Sequence, residues 1–219
     1  MTDRTERELL ELAIAAQEQL RGTLDDTVVD AAIGALRAHL DLLDTDEAVA
    51  PRRRLATVMF VDIIDSTGLL RDRDPEETMA IMDSALQRLA APVRRHGGRV
   101  TRFMGDGYLA VFGLPTSREN DPEMAVRAGL AVLEETTVVA DEFAETHGLG
   151  RFGVRIGINT GLVVTGGSTE AADTIMGAEV NLAARLESAA PPNGLLISHG
   201  TYQHVRDRFV VEPRGTIEA

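Results

Sequence analysis

Apolar residues along this chain fall into two alternating periodicities. Val29, Ile33, Leu36, Leu40 and Leu43 recur at four- and three-residue intervals, the seam of a coiled-coil-like helix that starts near Asp25 or Asp26. A first helix precedes it, opened by the capping-box pair Thr5 and Glu8 and closed by Gly22. Pro51 and Arg52–Arg54 then read as a linker. Leu55–Asp62 is apolar on both faces, which predicts a buried strand. Asp74-Pro75-Glu76-Glu77 combines an N-cap, a proline at the first helical position and acidic residues in the first turn. Met79, Met82, Leu86, Leu89 and Val93 continue at helical spacing until Gly97-Gly98.

Strands at Arg99–Met104 and Tyr108–Phe112 flank Gly105-Asp106-Gly107, a strong hairpin signal. A helix follows from Pro122 to about Thr146. Phe152–Ile158 and Leu162–Thr165 read as a strand pair turning at Thr160-Gly161, and Gly177–Ser188 as another helix. Leu195–Ser198, a short helix from Thr201 and a final strand at Phe209–Val211 complete the order. The expectation is a helical hairpin over residues 1–50, followed over 51–219 by an α+β or α/β domain with one mixed sheet.

Composition narrows the chemistry. At 219 residues, 44% hydrophobic and 26% charged, the chain is long and apolar enough for one full domain plus a smaller element. No run reaches the ~18 apolar residues of a bilayer span, and the charged N-terminus lacks a signal pattern, so a cytoplasmic protein is expected. The absence of cysteine excludes disulfides, thiolate zinc sites and cysteine nucleophiles. All 22 basic residues are arginine, which excludes a lysine Schiff base and the usual lysine-bearing P-loop. The net charge of −13 argues against a nucleic-acid partner. Much of it lies in residues 1–50, where 12 acidic and 4 basic side chains leave −8.

Two features carry candidate chemistry. Asp62 ends a buried strand, a costly place for a carboxylate without a cap or a cation, and Asp106 sits between glycines at a hairpin tip. Asp106 fits ordinary turn chemistry equally well. On adjacent strands, however, the pair would satisfy Mg²⁺, which takes one or two carboxylates plus substrate phosphates. Asn181 and Arg185, four residues apart, project from one helix face. An amide beside a guanidinium suits the spread charge of a phosphoryl transition state, while an incidental exposed polar pair is the plainer reading.

Taken in order, Val61-Asp62-Ile63-Ile64-Asp65-Ser66-Thr67, Arg102-Phe103-Met104-Gly105-Asp106-Gly107, Val154-Arg155-Ile156-Gly157-Ile158-Asn159-Thr160-Gly161 and Thr174-Ile175-Met176-Gly177 through Arg185 resemble the class III nucleotidyl cyclase catalytic domain. The resemblance runs from about Arg54 to Val211. It implies an α+β (α/β sandwich) fold with a ferredoxin-like, palm-type βαββαβ core that forms a head-to-tail homodimer. It also implies two Mg²⁺ or Mn²⁺ ions per active site, held by Asp62, Asp106 and the Ile63 carbonyl. Ile64, Asp65, Ser66 and Thr67 would turn backbone amides toward a triphosphate. Asn181 would orient the ribose and Arg185 would hold the phosphate, both from the other subunit. The implied reaction is attack of the ribose 3′-hydroxyl on the α-phosphate, giving a 3′,5′-cyclic nucleotide and pyrophosphate.

Base selection in such cyclases involves the positions of Arg102 and Thr174. ATP-using members typically carry lysine, with aspartate or threonine; guanylate cyclases carry glutamate and cysteine. Arg102 can donate to adenine N1 while Thr174 accepts from the exocyclic amine, so ATP is favoured. UTP and GTP remain alternatives, as does a catalytically silent nucleotide-binding module. Asp65 stands where the family often has glycine, and is not assigned as a metal ligand. The chain stops at Ala219, short of the family's terminal strand pair, so a longer parent protein with further regulatory domains is expected. The 1–50 seam fits a hairpin packed on its own domain, a pairing surface for a second copy, or a device that sets the orientation of two catalytic domains.

Overall fold

The computed structural model describes residues 6–23, 25–49, 52–66, 74–148, 152–166 and 175–216. They divide into two compact units, of which residues 52–165 and 175–216 make up the larger. In the smaller, helices α1 (Glu6–Glu18) and α2 (Asp26–Val49) pack on each other. Val29 and Ile33 are buried, Leu36 and Leu40 are half-buried, and the Leu43 side chain lies outside the described part. Thr5 is likewise outside it. The first helix ends four residues before Gly22, whose φ of +83° serves the turn. Arg21 spans that turn, with Nε 2.6 Å from Glu18 Oε2 and Nη2 2.6 Å from Asp30 Oδ1.

The larger unit opens with β1 (Arg52–Ile63), followed by α3 (Pro75–Arg95), β2 (Arg99–Met104), β3 (Gly107–Phe112) and α4 (Asp121–His147). It continues with β4 (Val154–Thr165), β5 (Ile175–Met176), α5 (Ala178–Ala189), β6 (Gly194–Ile197) and α6 (His199–Val205). Strand order is β2-β3-β1-β4-β5, with β6 parallel to β4 and the other pairs antiparallel. The first four strands and α3 and α4 therefore carry the expected βαββαβ order within an α+β fold. Asp74 caps α3, its Oδ1 accepting from the Glu76 amide at 2.9 Å, with Pro75 at the first helical position.

Three expectations are corrected. Arg52–Arg54 are strand rather than linker, because they pair with Thr165, Val164 and Val163 of β4. Thr160-Gly161 is not a turn: β4 runs through it unbroken, paired with β1 along its whole length. Phe209–Val211 form no strand; they have no ladder partner among the described residues, and Val210 is fully exposed.

Side chains alternate across the sheet as strand geometry requires. Met59, Val61, Ile63, Tyr108, Ala110, Phe112, Ile156 and Ile158 face α3 and α4 and form the main core. On that face a buried hydroxyl chain links Thr57 to Thr160 (3.0 Å), Thr160 to Thr201 (3.1 Å) and Thr201 to Ser198, the N-cap of α6 (3.1 Å). The opposite face carries Ala56, Val58, Leu109, Val111 and Val163 under α5, which contributes Ala183. Here α5 lies almost backbone-to-backbone on β4. A Cβ on Gly157 would fall 2.2 Å from the Glu187 nitrogen and 2.3 Å from the Ala183 carbonyl oxygen. One on Gly161 would fall 2.5 Å from Glu179 Cδ.

The Gly157 contact is with backbone, so no rotamer can relieve it. Gly157→Ala is expected to destabilise the larger unit by roughly 1–3 kcal/mol, the usual cost of overpacking. Urea denaturation checks this; an unchanged midpoint would mean that α5 stands off the sheet.

Candidate active site

Strand register brings the two acidic residues together. Asp62, near the end of β1, lies opposite Gly107 of β3, so Asp106 in the adjoining turn is beside it. The Ile63 amide donates to the Asp106 carbonyl at 3.0 Å, tying the turn to the strand end. Gly107 has to be glycine, since a Cβ there would lie 2.5 Å from the Val61 carbonyl oxygen and 2.9 Å from Asp62 Oδ1. Gly105 bends the hairpin at φ +63°. Ser66, which is buried, donates its hydroxyl to Asp106 Oδ2. Ile64 is held by its amide to the Gly153 carbonyl at 2.9 Å. Asp65 takes φ +51°, the left-handed region where glycine costs least, and its side chain is exposed.

The electrostatics of this corner are unfavourable without a counter-charge. Burial, followed by the neighbouring charges of Asp106 and Glu187 and by hydrogen bonding with Asp106, pushes the Asp62 carboxyl up to about 7; only Arg155 opposes the shift. Glu187, on α5, is raised chiefly by its own burial, a shift eased by the Ser188 hydroxyl and Arg155. Arg155 is the direct cross-strand partner of Asp62 on β4, and its Nε is buried without a hydrogen-bond partner among the described residues. The described residues contain no group of three or more His, Cys, Asp or Glu arranged for a metal. A crowded pair of carboxylates with backbone carbonyls at hand nevertheless suits a hard divalent cation that completes its shell with substrate phosphates.

Asp62, Ile63 and Asp106 thus converge, with Ile64, Asp65 and Ser66 directly following; Thr67 and Thr174 lie outside the described residues. Arg102 is exposed on β2, the edge strand, beside a register shift between Val100 and Arg102. Asn181 and Arg185 do not join the acid pair. Both are exposed on α5, and neither side chain has a partner among the described residues. At 100° per residue they lie about 120° and 160° around the helix from Glu187, the residue that reaches the acids. Arg155 and Glu187 were not singled out from sequence. The available signal was an arginine within the apolar run Val154–Ile158, but its pairing with Asp62 is a matter of register between distant segments.

The family profile of the adenylate and guanylate cyclase catalytic domain matches residues 48–219. Adenylate cyclase 1 of Rhizobium meliloti (strain 1021) is 34% identical over 172 residues, covering 76% of this chain and 26% of that protein. The receptor-type guanylate cyclase gcy-23 of Caenorhabditis elegans is 29% identical over 175 residues, covering 75% of this chain and 16% of that one. The crystal structure of the adenylyl cyclase CyaB from P. aeruginosa superposes with a TM-score of 0.72 at 31% identity, covering 77% of this chain and 88% of that one. This chain belongs to the adenylate and guanylate cyclase catalytic domain family. It is a nucleotidyl cyclase catalytic domain that spans about a quarter or less of the length of these two sequence relatives. Among the described residues, no helix is long and apolar enough to cross a membrane.

The Asp62 shift has a measurable consequence in chelator-treated protein. The folded carboxyl holds its proton more tightly than an unfolded aspartate at 3.8, so the folded state binds more protons between these values. This group's contribution to stability is therefore complete below about pH 4 and is lost as pH rises through about 7. Asp62→Asn should melt at the same temperature as wild type near pH 4 and above it at pH 8. Parallel pH profiles for the two proteins would contradict the assignment.

Proposed function

We propose that a homodimer of this chain acts in the cytoplasm to convert ATP to 3′,5′-cyclic AMP and pyrophosphate, at two sites each built from both copies. One observation carries the reading: Asp62 and Asp106 meet in one corner, while Asn181 and Arg185 leave their own helix in another direction, exposed and without a partner among the described residues. In a head-to-tail pair, each copy offers its acids to the amide and guanidinium of the other, so one sequence supplies both halves.

The 3′-oxygen of ATP attacks the α-phosphorus, the bond from that phosphorus to the β-phosphate bridging oxygen breaks, and pyrophosphate leaves as the 3′-hydroxyl gives up its proton. Asn181 orients the ribose. Arg185 donates to the equatorial oxygens of the α-phosphorus, where charge spreads as the reaction advances. Asp62, Asp106 and the Ile63 carbonyl would hold two Mg²⁺ or Mn²⁺ ions, which neutralise polyphosphate charge and acidify the attacking hydroxyl. Ser66 orients the Asp106 carboxylate through its hydroxyl, and the amides of Asp65, Ser66 and Thr67 line the triphosphate, the Ile64 amide being already spent on the Gly153 carbonyl. Arg102 donates to adenine N1 and Thr174 accepts from the exocyclic amine.

Incubation with Mn²⁺ or Mg²⁺ and each of ATP, GTP, UTP and CTP is expected to give cyclic product chiefly from ATP. A preference for GTP or UTP would reassign the base contacts, and the absence of any cyclic product from a verified dimer would contradict the enzymatic reading. Asp106→Ala and Arg185→Ala are each expected to be inactive alone. Mixed in equal amounts and allowed to exchange, they should recover about a quarter of wild-type activity, because half of the dimers are mixed and each has one whole site. No recovery in verified mixed dimers would contradict the two-chain site.

A further inference from the structure

The face of β4 beneath α5 reads Gly157, Asn159, Gly161: two residues without side chains on either side of an amide. The glycines let the helix backbone settle onto the strand. Asn159, 1% exposed, spends both hydrogens of its Nδ2 on a single residue of the helix, Glu179. It donates to the Glu179 carbonyl oxygen at 2.9 Å and to Glu179 Oε2 at 2.6 Å. The Glu179 side chain in turn lies across Gly161.

This anchor sits where α5 lacks local support. Its N-cap, Gly177, has no side chain to offer and takes φ +142°, so the first turn has no side-chain cap. An uncapped helix end ordinarily frays within its first turn. Here the end is instead tied across to the strand, by main chain and side chain of one residue. Glu179 lies two residues before Asn181, about 160° around the helix, so the tether is beneath the helix where Asn181 is above it.

We infer that Asn159 and Glu179 are positioning residues that fix the rotation and axial height of α5 on the sheet, and thereby aim Asn181 and Arg185 at the substrate. Neither touches substrate. Their effect passes through α5 alone, and so, on the two-chain site proposed above, from each copy into its partner's acid pair. A shift of about 1 Å at such groups costs on the order of 100-fold in rate. Because Asn181 and Arg185 act on the transition state, the loss falls on kcat and leaves KM near wild type.

The test uses mixed dimers of the 219-residue chain. In the pair Asp106→Ala plus Arg185→Ala, the single whole site takes α5 from the Asp106→Ala chain and acids from the other. Adding Glu179→Ala to the Asp106→Ala chain should lower its activity on the order of 100-fold. Adding it to the Arg185→Ala chain, whose α5 offers Asn181 only to the dead site and meets the whole site through Glu187 alone, should cost far less. Equal losses in both arms, or none in the first, would overturn the inference.

A charge swap in the otherwise natural chain gives a second readout that does not depend on which copy supplies α5. Asn159→Asp sets carboxylate against carboxylate and should lower kcat, and Glu179→Gln added to it restores the side-chain bond, though not the bond to the Glu179 carbonyl, and should recover part of the loss. A double variant that is folded but no more active than Asn159→Asp overturns the inference. If the unmodified mixed pair gives no product while the natural chain is active, the two-chain site fails, and the swap then decides the role of the tether by itself.

Discussion

Two carboxylates forced together at the end of a sheet form the constraint around which this domain is arranged. Asp62 and Asp106 belong to different strands, and backbone register holds them side by side: Asp62 opposite Gly107, and the Ile63 amide on the Asp106 carbonyl. Burial and the neighbouring charge of Asp106 push the Asp62 carboxyl up to about 7, which the fold tolerates because β1 is paired with β4 along its whole length and with β3 from Thr57 to Asp62. A corner built this way stores an unmet demand for positive charge. Arg155 meets part of it, and a divalent cation arriving with a polyphosphate would meet the rest.

The same strand that carries Arg155 also seats α5. Two glycines and one amide on β4 set the helix close to the sheet and hold its first turn, while Glu187 reaches back toward the acids. One helix therefore faces two ways. Its inner side adjusts the charge of its own chain's acid pair, and its outer side presents Asn181 and Arg185 elsewhere. That division is the structural reason for reading the site as shared between copies.

Much of this was legible in the sequence where chemistry is local. Asp74-Pro75-Glu76-Glu77 marked a helix start that the structure reproduces with its cap bond, and Gly105-Asp106-Gly107 marked the hairpin. The βαββαβ order followed from alternating periodicities. What was illegible depended on tertiary register. Thr160-Gly161 looked like a turn because glycine commonly breaks strands, whereas Gly161 is there to admit Glu179. Arg52–Arg54 looked like a linker because charge hid their pairing with β4. Phe209–Val211 had strand-like composition and no strand to pair with among the described residues. Arg155 and Glu187 gained their meaning only when β4 and α5 met Asp62, contacts between segments about ninety or more residues apart. Asp65, by contrast, had a signal in its own position, since it holds the positive φ that glycine adopts at low cost.

The most direct test is a ¹³C NMR titration of the Asp62 carboxyl in chelator-treated protein. The account predicts a midpoint near 7, falling toward the ordinary 3.8 when Asp106 is replaced by asparagine, and falling likewise when Mg²⁺ is added to the natural chain. A midpoint already near 3.8 in the metal-free natural chain, unmoved by Asp106→Asn, would contradict it.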